Sequence, residues 1–303
     1  MKKVIVTGAS GFIGGTLAKK LLSRGVKVYG VGQNQEKLNS LKQYGDFIPV
    51  TTCFEQYNSL HDLINDRDFD MFWHFAWQGT SAGTDSYKDY SVQVKNIKAA
   101  CDAAASAVKL NCARGCFVSS HYQFFRGIDE NIHFNPVLYG NAKKSAADLF
   151  KCILYNNNVS CANIIFPNII GVGDKRDTAV VFFIKRFLAD EPINLVSGKY
   201  REDWIYIDTL IDGVISAAKT EKKYTDYFIG HRNITTFKEK LTAMKSLLNS
   251  KSELKFGSYP EKCYVDYDQC DLNALHRDTG FEAKDDFAEN IRKITEWISN
   301  TGE

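Results

Sequence analysis

Tyr139 and Lys143 stand four residues apart in the segment Tyr139-Gly140-Asn141-Ala142-Lys143. On a helix, positions i and i+4 share a face, so this spacing brings a phenol and an ammonium together. A phenol with an ordinary pKa of about 10 is a poor acid–base group at neutral pH, and a neighbouring cation stabilises its phenolate. Such a pair can pass a proton to or from an oxygen. Nineteen positions before Tyr139, Ser119-Ser120 closes the apolar run Cys116 to Val118. That sets a hydroxyl at the carboxyl end of a strand, where open α/β sheets bind ligands.

A second constellation lies at the amino terminus. Val4, Ile5 and Val6 run into Thr7-Gly8-Ala9-Ser10-Gly11-Phe12-Ile13-Gly14 and then into a helical stretch. Gly8 suits a tight turn, Gly11 lets backbone N–H groups approach a pyrophosphate, and Gly14 lets the helix lie close on the strand. The helix N-terminus then faces the negative charge favourably. Strand, glycine turn and helix in that order predict a dinucleotide cofactor held by Gly8, Ser10, Gly11, Phe12, Ile13 and Gly14. The next strand, Val28 to Val31, ends in Gly32, Gln33 and Asn34, with no acid to accept a bond from a ribose 2′-hydroxyl or to repel a 2′-phosphate. NADP is therefore the expected cofactor, with Gln33, Asn34 and Lys37 near its phosphate; NAD is the alternative, because no arginine stands there.

The elements that must position these groups alternate up to about residue 165. Short β-branched runs (Val4 to Val6, Val26 to Val31, Met71 to Phe75, Gly115 to Ser119, Ser160 to Phe166) are separated by amphipathic stretches such as Thr16 to Ser23, Ser91 to Ala107 and Gly140 to Tyr155. That rhythm predicts an α/β fold, a doubly wound parallel sheet with helices on both faces. After Asn168 it lapses into loops, helices at Ala179 to Ala189, Thr236 to Leu248 and Phe287 to Ser299, and short runs at Ile193 to Val196 and Trp204 to Ile207. A dinucleotide-binding domain over 1–167 is expected, followed by a smaller, mainly substrate-binding region over 168–303 interleaved with the last strands.

Composition excludes several other classes. With 44% hydrophobic and 24% charged residues and no low-complexity tract, the chain can bury a sizeable core. A formal net charge of +2 without a basic run argues against a nucleic-acid partner. No apolar stretch approaches the roughly 20 residues of a membrane span, and the first strand begins at Val4, so a cytoplasmic enzyme is expected. Eight scattered cysteines lack zinc-site spacing and are expected to be reduced; no metal is expected.

TGASGFIG over Thr7 to Gly14, with Tyr139-Gly140-Asn141-Ala142-Lys143, resembles the extended short-chain dehydrogenase/reductase superfamily and its NAD-dependent epimerase/dehydratase branch. The resemblance spans nearly the whole chain and implies a Rossmann fold. It also implies that Lys143 holds the nicotinamide ribose while Tyr139 transfers a proton during hydride transfer, and that Ser120 bonds the reacting oxygen. His74-Phe75-Ala76 is similar to the family's HxA segment, which implies that Phe75 and Ala76 pass beside the cofactor; His74 is assigned no chemistry. Gln93 stands where the family often has asparagine.

Ser120-His121-Tyr122-Gln123-Phe124 decides between reactions. Sugar 4,6-dehydratases carry an Asp-Glu pair after the corresponding threonine, and His121-Tyr122 cannot replace it. The segment resembles that of nucleotide-sugar C4 keto-reductases such as the dTDP-4-dehydrorhamnose reductases and, more loosely, CDP-abequose synthases. By that resemblance Tyr122 lines the substrate pocket, and His121 either orients Tyr139 or a sugar hydroxyl or is a polar loop residue. Pro167-Asn168-Ile169-Ile170-Gly171-Val172-Gly173-Asp174 resembles NVYGPGD, which implies that Asn168 contacts the sugar nucleotide's diphosphate and that Pro167 lines the pocket against the cofactor. Arg201 falls one residue away from the arginine of the family's RDFIHVDD segment, which binds the diphosphate, and Asn163 replaces another arginine. The expectation is NAD(P)H-dependent reduction at C4 of a nucleotide-diphosphate 4-keto-6-deoxy sugar, in a chain that can form a homodimer. A C4 epimerase with bound NAD is the first alternative and a non-enzymatic NAD(P)-binding sensor the second.

Overall fold

The β-branched runs become the centre of a seven-stranded parallel sheet: β1 Lys3–Thr7, β2 Lys27–Gly32, β3 Phe47–Thr51, β4 Met71–His74, β5 Arg114–Ser120, β6 Ser160–Phe166 and β7 Tyr224–Phe228. In this computed structural model, which describes all residues except 81–87, 129–134, 175–177, 285, 302 and 303, the strand order is β7-β6-β5-β4-β1-β2-β3. Every neighbouring pair is parallel. The order reverses between β1 and β4, so the carboxyl ends of those strands open the crevice where a doubly wound sheet takes its ligand.

Two apolar layers hold helices against the sheet. On one face, Leu17, Ala18, Leu21 and Leu22 of α1 (Phe12–Leu22) pack with Leu210, Ile211 and Val214 of the helix Ile207–Ala217. On the other, α2 (Tyr90–Lys109) turns an alanine stripe, Ala99, Ala100, Ala103, Ala104 and Ala107, towards Ala146, Ala147, Phe150 and Leu154 of α3 (Asn135–Asn156). Small residues let α2 and α3 approach closely, which fixes the helix that carries Tyr139 and Lys143.

Beyond Asn168 a separate core forms around Val180, Ile184, Phe187, Trp204, Leu241, Met244, Ile291 and Ile294. Here the backbone makes only short pairings: Asn168–Ile170 with Trp204–Tyr206, Ile193–Leu195 with Leu254–Phe256, and Cys263–Val265 with Phe125–Gly127. The chain also returns to the main sheet through β7, so this region interleaves with the first. Strand β3, with Pro49 in it, is absent from the β-branched runs of the sequence; it is an edge strand, where a missing N–H is tolerated. Among the described residues no helix is long and apolar enough to cross a membrane, and no His, Cys, Asp or Glu cluster could hold a metal ion.

Candidate active site

The glycine turn is shaped by contacts that side chains would block. Gly8 has φ +74, and a Cβ there would lie 2.9 Å from the Ala76 nitrogen; a Cβ on Gly14 would fall on the Gly8 carbonyl. Thus β1, α1 and the Phe75-Ala76 segment after β4 meet backbone to backbone. The Gly11 N–H donates to Gly8 O (2.9 Å), and Gly11 caps α1 with no side-chain bond and no acid in the first turn. The first N–H groups of α1 therefore keep a free approach for an anion, and the turn fits a dinucleotide pyrophosphate. The side chains of Phe12 and Ile13 pack against the sheet's core, so those residues offer backbone. Ser10 Oγ lies under Gly32, where a Cβ would be 2.7 Å away.

At the end of β2, Gln33 and Asn34 are exposed. Asn34 Oδ1 accepts from the Lys37 N–H (2.9 Å), capping the helix Gln35–Asn39, which fixes the side chain through its acceptor and leaves Nδ2 as the atom that can donate to a phosphate. His74 is a core residue: Nδ1 is 3.0 Å from Thr7 Oγ1, the ring packs beside both Phe117 and Phe150, and burial pushes its pKa down to about 3. The Ala76 N–H donates to the same Thr7 hydroxyl (3.3 Å), tying the turn to β4.

Tyr139 and Lys143 lie on one side of α3, as their spacing requires, with Lys143 Nζ 5.9 Å from the Tyr139 ring centre. Gly140 permits this placement, because a Cβ there would run into the Tyr122 carbonyl just after β5. Lys143 is 4% exposed; Nζ donates to Val118 O (3.0 Å) and sits 3.9 Å over the Trp77 ring. Burial pushes its pKa down to about 7. Trp77, which follows the HFA segment directly and went unread in the sequence, donates from Nε1 to Gln93 Oε1 (3.0 Å) and meets the Tyr139 ring edge-on at 6.2 Å. Asn96 holds the same loop through both backbone groups of Gln78. Ser120, at the end of β5, accepts from the Tyr122 N–H (3.3 Å), and the Tyr122 ring stands edge-on 6.0 Å from Tyr139.

Tyr122, Asn168 and Arg201 line one cavity of about 190 Å³, with Tyr200, Glu202 and Tyr264 among the other walls. Tyr122 OH donates weakly to Asn168 Oδ1 (3.5 Å), and Asn168 Nδ2 donates to Glu202 Oε1 (2.6 Å). Pro167 is buried at the turn between β6 and the strand Asn168–Ile170. Arg201 Nη2 donates to exposed Asp268 (2.6 Å). His121 departs from the expected substrate contact: it is 1% exposed and stacked behind Tyr122, and its Nδ1 is 2.9 Å from Tyr267 OH. Burial pushes its pKa down to about 4, which favours the neutral ring. Tyr267 OH in turn accepts from the Asp203 N–H (3.3 Å), and fully buried Asp203 pairs with His231 (2.7 Å).

A doubly wound sheet with a glycine turn open to a phosphate, and at its carboxyl edge a half-buried tyrosine paired with a buried lysine, defines a dinucleotide-binding protein of the short-chain dehydrogenase type. Residues 4–230 match the NAD dependent epimerase/dehydratase family, and the chain belongs to that family. It is 24% identical to CDP-abequose synthase of Yersinia pseudotuberculosis, over 74% of this chain and 76% of that one. It is 21% identical to UDP-glucuronate 4-epimerase 5 of Arabidopsis thaliana, over 97% and 74%. Among solved structures it resembles UDP-glucuronic acid 4-epimerase from Bacillus cereus in complex with UDP-glucuronic acid and NAD, with TM-score 0.76 and 18% identity over 99% of each chain. At that identity the likeness is one of fold.

Proposed function

We propose that the protein reduces the C4 ketone of a nucleotide-diphosphate 4-keto-6-deoxy sugar, with NADPH preferred over NADH. The observation that carries the proposal is Tyr139 and Lys143 on one helix, with the Tyr139 ring 6.0 Å from Tyr122, whose N–H bonds Ser120 and whose side chain begins a cavity that follows Asn168 to Arg201. NADPH or NADH supplies the hydride. Tyr139 gives its proton to the C4 oxygen, Ser120 donates a hydrogen bond to that oxygen, and Lys143 favours the phenolate that remains. Gly8 to Gly14 hold the pyrophosphate and Phe75-Ala76 flank the cofactor; Gln33, Asn34 Nδ2 and Lys37 are the donors at the β2 end that would meet a 2′-phosphate. Arg201, once released from Asp268, matches the sugar's diphosphate. Residues 1–167 bind the dinucleotide in this scheme and residues 168–303 mainly the sugar nucleotide.

The likeness to 4-epimerases supports a second reading, in which a bound NAD would take and return the hydride at C4 while Tyr139, beside Lys143, removes and returns the proton of the C4 hydroxyl. A cofactor-binding sensor has less support, since both members of the pair are present. Incubation of purified protein with nucleotide-linked 4-keto-6-deoxy hexoses and NADPH or NADH separates the readings. Reduction oxidises one cofactor per sugar; protein carrying tightly bound NAD and consuming no added cofactor contradicts it.

A further inference from the structure

Lys143 is a buried amine without a carboxylate. Its Nζ donates to Val118 O (3.0 Å), and among the described residues no acid pairs with it. The titratable groups that face it are Tyr139, one turn earlier on α3, and His74 at the end of β4, where burial favours the neutral ring. Neither brings a fixed negative charge. Phe117 of β5 presents a ring at 5.4 Å, but the Trp77 indole is nearer, with Nζ 3.9 Å over it. Among aromatic side chains the indole face attracts a cation best, and the attraction grows once both groups leave water. At 4% exposure Lys143 is in that regime.

The indole is held in place from α2. Its Nε1 donates to Gln93 Oε1 (3.0 Å), and Asn96, three residues along the same helix, takes both backbone groups of Gln78. The ring also meets Tyr139 edge-on at 6.2 Å, so one side chain touches both members of the pair. We propose that Trp77 is a positioning residue whose indole face holds Lys143 as an ammonium beside Tyr139. The inference rests on the Tyr139–Lys143 reading above and deepens it. Only a charged lysine favours the phenolate that remains when Tyr139 gives up its proton. A buried amine facing one carbonyl tends to shed its proton, and the ring offsets part of that tendency. Removing the ring therefore lowers the pH at which Lys143 becomes neutral, and the alkaline limb of ketone reduction moves down with it.

The test is an NMR titration of the full chain carrying carbon-13 lysine, with the Lys143 Cε signal assigned by its loss in Lys143→Arg. In the wild-type protein its midpoint is expected near 7. Trp77→Leu should lower that midpoint by about one pH unit. A second preparation keeps the wild-type packing: protein grown on 5-fluorotryptophan has rings of nearly the same volume and a weaker negative face. Its Lys143 midpoint should fall in the same direction by a smaller amount. In Trp77→Phe the fluorinated and ordinary preparations should coincide. A midpoint that stays or rises in the fluorinated wild-type protein or in folded Trp77→Leu overturns the inference, as does an equal fluorine effect in Trp77→Phe. The titration is read without cofactor or sugar, so its failure leaves the C4 reduction standing. Failure of cofactor oxidation leaves the contact between Trp77 and Lys143 standing.

Discussion

The two halves of the site are built by opposite means. The dinucleotide half is made by leaving side chains out: Gly8, Gly14 and the backbone of Phe75-Ala76 touch where a methyl group would not fit. The half proposed to hold the sugar is made by pairing side chains that lie far apart in sequence, through His121, Tyr267, Asp203 and His231 on one side and Asn168 with Glu202 on the other. The first half tolerates no addition and the second no subtraction. Tyr139, on α3 between them, is the point where both must be correct for chemistry.

The largest effect expected is from Tyr139→Phe, which leaves both halves intact and removes only the proton. Its kcat/KM for ketone reduction should fall about 10²–10⁴-fold with no change in melting temperature. A matching loss of Tm would mean that Tyr139 is structural. Next comes subtraction in the sugar half. Asp203→Ala strands His231 and should cost about 3–5 kcal/mol of stability, read from denaturant unfolding.

The same pair carries a pH signature. Burial lowers the pKa of His231, but its bond and attraction to Asp203 outweigh that, and the net shift is upward. A raised folded pKa contributes stability that is fully present below the ordinary value of about 6.5 and is lost as pH rises through the folded value. The Tm gap between wild type and His231→Gln should therefore narrow from pH 6 to pH 9; a widening gap contradicts the charge pairing.

A smaller effect tests addition in the dinucleotide half. Gly14→Ala puts a methyl group on the Gly8 carbonyl, and the strain should weaken dinucleotide binding by about 1–3 kcal/mol while sugar-nucleotide binding changes little. Calorimetric titration with each ligand separates the two. The smallest change expected is in cofactor choice. Asn34→Asp preserves the helix cap, yet its charge opposes a 2′-phosphate, so the NADPH to NADH ratio of kcat/KM should drop several-fold with stability unchanged.

This contrast also explains what could be read from sequence. Glycine turns and i, i+4 pairs are local, so the phosphate turn, the Tyr139–Lys143 face and most sheet strands were legible from spacing alone. Strand β3 was hidden by Pro49, which is acceptable only because the strand lies at an edge. Gly140 gave no signal of its own, since its reason is the Tyr122 carbonyl on another element. Trp77 followed a readable motif, but its place over Lys143 depends on the packing of α3. His121 could not be assigned from sequence because its partner, Tyr267, lies 146 residues away.

The most direct test of reduction at C4 by this site is isotope transfer. NADPH carrying deuterium at nicotinamide C4 is incubated with a nucleotide-linked 4-keto-6-deoxy hexose, and the sugar product is examined by NMR and mass spectrometry. Reduction at C4 gives one deuterium at sugar C4, equimolar oxidised cofactor, and a product absent with Tyr139→Phe. Sugar recovered without deuterium and with no cofactor oxidised contradicts it.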